Sequence, residues 1–238
     1  MIYAIISTRD KNNVTSVTNS LVKYLTDADI RVVLLSKQKS IFSAYKKAVE
    51  HISPDDHDMV MFCHDDIEIK EQPEDFKAII KDALMSPGAG FVGPAGTTYL
   101  GEDAVWWNHE NWKKGLHRGR VFHVDKKTGK LENTMYGFED DVVVLDGLFL
   151  ACSGKLAKEL DWSKPDYFEG EWDFYDIHYT TQAFELGYRN MARDLQIVHH
   201  SRGELAGRDS WHKNRRAYID NTDLPLELEP RKNPHSEE

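Results

Sequence analysis

Apolar runs and amphipathic segments alternate through the first quarter of the chain. Residues 1–7, 30–35 and 59–63 are short apolar runs, which is typical of buried strands. Residues 15–25 and 40–49 instead repeat apolar side chains at helical spacing, each after a serine or threonine that can cap a helix. This order of strand, helix, strand, helix and strand predicts right-handed crossovers and a parallel sheet.

The pattern is less regular in the middle of the chain. A helix is predicted at 73–85, with proline in its first turn. Residues 88–93 spell G-x-G-x-x-G, but they follow a helix and precede Pro94, so a strand at 90–93 is favoured over a dinucleotide-binding turn. Residues 97–139 form a long irregular stretch, with a hairpin predicted between residues 121 and 131.

The core pattern resumes at residues 140–152 and bends at Asp146 and Gly147. Further helices and strands are predicted at 154–160, 172–187, 188–192, 195–198 and 211–219. We expect one domain over residues 1–220 and a loosely held, polar tail rich in Pro and Glu at 221–238.

Composition narrows the function classes. The 238 residues suffice for a full core, and 29% charged with 40% apolar residues is an ordinary globular balance. The formal net charge of −10 argues against nucleic acid as a partner, because phosphate binding needs a basic face. The basic run at 112–120 is compatible with an anionic ligand, although a solvated loop is the commoner interpretation.

The apolar runs indicate the state of the two cysteines and the cellular compartment of the protein. Cys63 and Cys152 both lie inside apolar runs, which predicts buried free thiols and no disulfide or cysteine-based zinc site. The apolar opening ends at Ser7 and no run has the length needed to cross a bilayer. We therefore expect a soluble, cytoplasmic protein.

Three clusters of polar side chains follow predicted elements. The strand at 59–63 runs into His64, Asp65 and Asp66; the others are residues 171–176 and the pair His199 and His200. Ligands bind at the carboxyl ends of parallel strands, where carboxylates and imidazoles suit a divalent cation and a general base. Each cluster alone is equally compatible with an exposed polar turn.

Several segments, in this order, carry a resemblance to a known family. They are residues 5–9, 41–48, 62–67, 174–177, 186–189 and 199–203, with 93–96, 106–107 and 146–148 between them. Together they resemble glycosyltransferases of the GT-A fold, in the group similar to family 2, and in a subgroup with H-D-D in place of D-x-D. The resemblance spans about residues 1–205. It implies an α/β fold with a mixed, mainly parallel central sheet flanked by helices.

The resemblance also implies an activity. Such enzymes use Mn²⁺ or Mg²⁺ and transfer a sugar, with inversion, from a nucleoside diphosphate sugar to an acceptor hydroxyl; a UDP-sugar is the favoured donor. Asp176 falls at the general base, although a carboxylate favoured by the helix dipole is the alternative. Tyr175 and His178 stand where the family commonly has Glu and a second Asp.

The remaining roles follow residue by residue from the resemblance. The metal is assigned to Asp66 with His199 or His200. The donor is assigned to Thr8, Arg9, Ser36, His64 and Asp65. The acceptor or sugar is assigned to Asp146, Gly147, Trp106 and Trp107, with the two tryptophans equally compatible with a core role.

Two other functions stay open at this point. One is a metal-dependent nucleotidyltransferase or phosphohydrolase that uses the same pair of aspartates. The other is a non-catalytic module that binds nucleotide sugars, for which the departures at Tyr175 and His178 leave room. The identity of the acceptor and the oligomeric state are left open by the residues.

Overall fold

A computed structural model describes residues 1–9, 14–125, 128–201 and 208–228. The strands, in chain order, are β1 (Ile2–Arg9), β2 (Arg31–Gln38), β3 (Met59–Cys63), β4 (Ile67–Ile69), β5 (Ala89–Gly93), β6 (Ala95–Thr97), β7 (Tyr99–Leu100), β8 (His117–Val124), β9 (Leu131–Met135), β10 (Asp140–Val142), β11 (Val144–Leu145), β12 (Phe149–Ser153), β13 (Arg189–Ala192), β14 (Ile197–His199) and β15 (Leu226–Glu227). The helices are α1 (Ser16–Asp27), α2 (Ile41–Ile52), α3 (Pro73–Leu84), α4 (His109–Lys113), α5 (Gly154–Glu159), α6 (Tyr175–Glu185) and α7 (Asp209–Asp220).

The central sheet contains seven strands in the order β10-β13-β5-β12-β3-β1-β2. Strands β2, β1, β3, β5 and β13 run in one direction, while β12 and β10 run against them. Helices α1, α2, α3 and α6 pack against this sheet or its neighbours. The predicted fold class, a mixed and mainly parallel sheet flanked by helices, is confirmed.

A second sheet has the order β11-β6-β8-β14-β4, with β9 added to β8. The predicted hairpin is present, since β8 and β9 pair antiparallel with Val124 opposite Leu131. The rest of the region from residue 97 to 139 was predicted to be irregular, but it supplies strands to this sheet. Besides β9, strand β8 pairs with β6, just before this region, and with β14, which lies far along the chain, so local sequence gives little sign of the sheet.

The first helices begin where the sequence predicts. The Thr15 side chain accepts a hydrogen bond from the Thr18 backbone, and the Thr18 side chain returns one to the backbone of Thr15, so α1 begins with a reciprocal cap. The Ser40 side chain caps α2. Both helices turn their apolar faces toward the sheet, with Leu25 and Phe42 buried.

Burial follows each strand's place in the sheet. All five residues of β3, including Cys63, are buried, because strands and helices cover it on every side. Strand β2 was predicted to be buried and is not: it lies at the edge of the sheet, and Leu34 is 38% exposed. Cys152 is buried as a free thiol, as predicted.

The end of the described chain returns to the domain. Strand β15 pairs antiparallel with β7, with Leu226 opposite Leu100. Residues 229–238, most of the predicted tail, lie outside the described residues. The division into a domain at 1–220 and a tail at 221–238 stays a prediction. None of the described helices combines the length and the apolar character needed to span a membrane.

Candidate functional site

A cavity of about 1260 Å³ opens beside the carboxyl ends of β1 and β3. Ser7 and Arg9 enter it from the end of β1, and His64 with its two aspartates enters it from the end of β3. The N-terminus of α6, more than a hundred residues later in the sequence, contributes Tyr175 and Asp176. This is the sheet edge at which the three polar clusters were predicted to meet.

Two imidazoles and one carboxylate converge inside the cavity. The antiparallel pairing of β4 with β14 places His199 opposite Ile67, beside Asp66. His199 Nε2 lies 3.2 Å from Asp66 Oδ1, and His64 Nδ1 lies 3.8 Å from the same oxygen. The ligand atoms of His64, Asp66 and His199 all lie within 4.8 Å of one another, which is compatible with one metal ion. These three residues are called the His-Asp-His cluster below.

The Tyr175 hydroxyl determines which nitrogen of His64 faces the cluster. It donates a hydrogen bond to the carbonyl oxygen of Gly147 at 3.0 Å. Its other contact lies 2.5 Å from His64 Nε2. A hydroxyl has one hydrogen, so when it is directed at Gly147 the imidazole N–H is the donor of this second contact. In that arrangement His64 carries its hydrogen on Nε2 and a lone pair on Nδ1, the nitrogen that faces Asp66 and His199.

Burial and mutual interactions shift the pKa of every residue in the cluster. Burial, and then the neighbouring His199, lower the pKa of His64 to about 4, so its ring is neutral near pH 7. Burial alone would raise the pKa of Asp66, but the His199 hydrogen bond and the nearby His64 ring hold it well below its usual range. Burial alone would lower the pKa of His199, but the bond to Asp66 raises it.

Asp176 occupies a different electrostatic environment in the same cavity. Burial, and then the negative charge of Asp146, raise the pKa of its carboxyl to about 7. The Gly147 N–H donates to Asp176 Oδ2 at 3.1 Å. Gly147 is needed here for space, because a Cβ at this position would lie 2.5 Å from the Tyr175 hydroxyl and 2.6 Å from Asp176 Cβ.

Phe174 turns the chain into α6 at this point. Its backbone has φ +69°, in the left-handed region that residues other than glycine rarely adopt. The buried Phe174 ring packs against Trp211 and Tyr218 of α7, with ring centroids 5.5 and 5.7 Å apart. Packing from the C-terminal helix therefore holds the strained turn that aims Tyr175 and Asp176 into the cavity.

Two arginines line another side of the cavity. The Arg9 guanidinium lies 5.1 Å from the centroid of the Trp172 ring, and Arg208 Nη1 lies 3.3 Å from Asp173 Oδ1. Within the described residues, Arg9 has no carboxylate oxygen within 4.0 Å, so its positive charge is available to an anion. Burial, and then the Asp66 charge, raise the pKa of the adjacent Asp65 to about 6.

Most of the predicted site residues line this cavity, and three do not. The residues that do are Arg9, His64, Asp65, Asp66, Trp106, Trp107, Asp146, Gly147, Asp176 and His199. Thr8 is buried and accepts from the Lys37 backbone, and Ser36 is exposed on the edge strand. The His200 ring faces Glu68, with Nε2 and Oε2 3.3 Å apart, on the other side of the strand from His199.

Sequence reasoning missed several cavity residues. Four cavity residues come from segments with no predicted site role. Trp112 lies in the basic run, Tyr136 in the irregular stretch and Trp211 in the predicted final helix, and Arg208 lies just before that helix. The clustering of tryptophans in polar segments was the available signal. The basic run belongs to α4 and β8, so the solvated-loop interpretation is wrong. Its charges are partly balanced, since Lys113 pairs with Glu110, Arg118 with Asp140 and Arg120 with Asp194.

Comparisons with known proteins complete the description of the site. The model of a family described as glycosyltransferase like matches residues 4–221. No curated protein matches the chain.

Solved structures similar to this chain are distant from it. One is A197 from STIV, with 13% identity and a TM-score of 0.47, covering 84% of this chain and 86% of that one. Another is a glycosyltransferase involved in the glycosylation of the major capsid of PBCV-1, with 8% identity and a TM-score of 0.42, covering 86% and 98%. A third is a putative glucose-1-phosphate thymidylyltransferase from Bacillus anthracis, with 8% identity and a TM-score of 0.44, covering 94% and 96%. These likenesses are too distant to bear on function.

Proposed function

Because the chain belongs to this glycosyltransferase-like family, we propose that it moves a sugar from a nucleoside diphosphate sugar to an acceptor hydroxyl, with inversion. A UDP-sugar is the favoured donor. The observation that carries the proposal is that one cavity holds both the His-Asp-His cluster and the Asp176 carboxylate. A cation site and a general base beside each other are what metal-assisted transfer to a hydroxyl requires.

The His-Asp-His cluster fits a divalent cation. It offers two imidazole nitrogens and one carboxylate oxygen, and the Nδ1 lone pair of His64 faces the other two ligand atoms. Mg²⁺ prefers oxygen ligands, whereas Mn²⁺ also accepts imidazole, so this set favours Mn²⁺. When bound, the cation would supply positive charge that stabilises the departing diphosphate.

Asp176 is proposed to accept the proton of the acceptor hydroxyl. A general base is most effective when its pKa lies near the working pH, and burial raises the pKa of Asp176 to about 7. The Gly147 N–H donates to Asp176 Oδ2, and the backbone N–H groups of Ile177 and Asp176 also stabilise the carboxylate, which orients it in the cavity. Asp146, whose charge contributes to that pKa, and Gly147 are proposed to lie next to the acceptor.

The donor is proposed to lie between β1 and the cluster. Arg9 provides a positive charge for the diphosphate, and the Trp172 ring packs on its guanidinium. Asp65 faces the same space and is proposed to bind the donor's ribose. Thr8 and Ser36 lie outside the cavity lining. The donor contacts proposed for them would therefore be made by the neighbouring backbone of β1 and β2.

Donor binding is the direct test of this function. Thermal unfolding of the full chain is followed with UDP-sugars and GDP-sugars, each with and without Mn²⁺. A donor present at about a hundred times its Kd stabilises the fold by about 2.7 kcal/mol, and we expect this shift only when Mn²⁺ is present. Asp66→Asn should abolish the Mn²⁺-dependent shift. A shift that is equal with and without Mn²⁺ would contradict the proposed metal dependence.

The released product separates glycosyl transfer from nucleotidyl transfer. Glycosyl transfer releases a nucleoside diphosphate, whereas attack on the nucleotidyl phosphorus releases a different phosphate species. Release of the nucleoside diphosphate together with a glycosylated acceptor supports the proposal. Donor binding without any turnover would instead support a binding module.

A further inference from the structure

Five of the six tryptophans of the chain line the cavity described above, and four of them form a wall with Tyr136. Along this wall each ring touches the next, with centroids between 5.2 and 5.8 Å apart. The wall runs Trp211, Trp107, Trp106, Tyr136 and Trp112. It is called the aromatic wall below. Trp172 is the fifth tryptophan, and it packs on Arg9 at the donor side.

The aromatic wall leads from the reactive carboxylates to solvent. At its inner end, Trp211 packs on Phe174, two residues before Asp176, and is only 7% exposed. At its outer end, Trp112 is 42% exposed. The exposed Trp112 ring continues the aromatic lining from the interior of the cavity to its mouth, where it is available to an occupant of the cavity.

The remaining lining of the cavity identifies the chemistry of that occupant. Five carboxylates line the cavity: Asp65, Asp66, Asp146, Asp173 and Asp176. Asp66 and Asp65 are assigned to the cation and the donor, and Asp173 already accepts from Arg208 and Ser210. Asp146 and Asp176 remain to accept hydrogen bonds from the hydroxyls of an acceptor. Aliphatic lining is sparse, because only Ile41 and Ile177 contribute it among the described residues. Flat aromatic faces beside carboxylates match a carbohydrate, which has apolar C–H faces and a rim of hydroxyls. A polyisoprenoid chain would need aliphatic lining instead.

The cavity is also larger than one substrate requires. Pockets for a single drug-sized ligand measure about 300–1,000 Å³. The present cavity of about 1260 Å³ exceeds that range, and the residues of the aromatic wall are among those that line it.

We propose that the acceptor is a carbohydrate chain of two or more units. Its terminal hydroxyl lies at Asp176, and the following units stack on Trp107, Tyr136 and Trp112, the rings of the aromatic wall that are at least partly exposed, whereas Trp106 and Trp211 are buried behind them. This inference rests on the proposed function and specifies its acceptor. In the reaction, the acceptor oxygen forms the new bond to the sugar's anomeric carbon as its proton passes to Asp176. The bond from that carbon to the diphosphate breaks, and the diphosphate leaves with the electron pair.

The test measures retention of the full chain on immobilised monosaccharides and oligosaccharides. Vesicles that contain polyprenyl phosphate and a set of unmodified peptides are examined in parallel. Trp112→Ala removes the outer end of the wall, and Phe138→Ala is the matched control, since Phe138 is 91% exposed and does not line the cavity. The donor-dependent thermal shift is measured for each variant.

We expect the protein to bind an oligosaccharide at least about tenfold more tightly than its terminal monosaccharide, which corresponds to one well-packed additional contact. Trp112→Ala should weaken oligosaccharide binding by about tenfold, leave monosaccharide binding unchanged and leave the donor shift intact, whereas Phe138→Ala should change none of these.

Three results would overturn the inference: retention on no carbohydrate, retention on vesicles or peptides only, or equal oligosaccharide binding by wild type and Trp112→Ala. If the donor shift persists in those cases, only the acceptor inference fails. If the donor shift is itself missing in the wild type, the proposed function fails with it.

Discussion

Two aspartates in one cavity carry opposite electrostatic perturbations. At one end, Asp66 lies against two imidazoles, which hold its pKa well below the usual range and keep it ionised. At the other end, Asp176 has another carboxylate, Asp146, as its charged neighbour, and its pKa rises to about 7. Burial acts in the same direction on both residues, so the difference comes from the neighbours.

The comparison shows how one residue type takes two roles. A carboxylate that stays ionised over the whole physiological range is suited to hold a cation. A carboxylate that titrates near pH 7 is suited to take and release a proton. The predictions below change one end of the cavity at a time, with the larger expected effects first.

Replacing the proposed base should have the largest effect. Asp176→Asn keeps the shape and the Gly147 hydrogen bond but removes proton acceptance, so kcat should fall by about 10²–10⁴-fold. Mn²⁺ affinity and the donor-dependent thermal shift should be unchanged, because both are proposed to depend on the His-Asp-His cluster at the other end of the cavity. Single-turnover transfer assays and Mn²⁺ titration measure the two ends separately. Unchanged turnover in the variant would remove Asp176 from the role of base.

The thermal stability of Asp176→Asn, measured as a function of pH, will serve as the control that the variant is folded. Since the folded state raises the pKa of Asp176 from its ordinary value to about 7, the stability associated with its proton is fully present below about pH 4 and is lost as the pH rises through 7. Asn cannot lose a proton. At pH 8 the variant should therefore unfold at a higher temperature than the wild type, and near pH 4 the difference should vanish.

Removing the Tyr175 hydroxyl should have an intermediate effect at the cation end. Without it nothing selects the Nε2–H form of His64, so Tyr175→Phe should weaken Mn²⁺ binding by about 10–100-fold. Tyr179→Phe is the matched control on the same helix, because that hydroxyl donates to the Trp162 carbonyl away from the cavity. Calorimetric Mn²⁺ titration distinguishes the two. Equal weakening in both variants would indicate a general effect of α6 packing.

Changing the neighbour of the base should have the smallest effect. Catalysis needs ionised Asp176, so kcat at saturating Mn²⁺ should rise with pH, with a midpoint near 7. Asp146→Asn removes the charge that opposes ionisation, so the midpoint should move to lower pH, by less than about one unit. Asp166→Asn, on the exposed surface, should leave the midpoint in place. A midpoint that moves upward in Asp146→Asn would contradict the assigned interaction.

Much of the fold could be predicted because its signals are local. These signals depend only on residues that are close in sequence. They are the caps at Thr15 and Ser40, the apolar periodicity of the helices and the apolar runs of β1 and β3. The second sheet was missed because β8 pairs with strands that are remote in sequence, and no periodicity in 97–139 encodes them. The exposure of β2 was missed for a related reason, since a strand's sequence does not state whether another strand lies beyond it.

The candidate site was predicted in outline. The rule that ligands gather at the carboxyl ends of strands united His64, Asp66 and His199 from positions far apart in sequence. It could not choose between His199 and His200, because neighbouring residues of a strand face opposite sides and the register was unknown. The hydroxyl of Tyr175 was treated only as a departure from a family pattern. Its contacts with His64 and Gly147 exist only in three dimensions.

Gly147 touches both ends of the cavity through its own peptide groups. Its carbonyl oxygen receives the Tyr175 hydroxyl that orients His64, and its N–H binds Asp176. The spacing between the cation ligands and the base is thus set by backbone atoms, which amino-acid replacement at neighbouring positions does not alter. Side chains of the aromatic wall can diverge while that spacing is conserved. Under the proposed function, acceptor preference and reaction chemistry are therefore separable, because substitutions in the aromatic wall leave this backbone spacing unchanged.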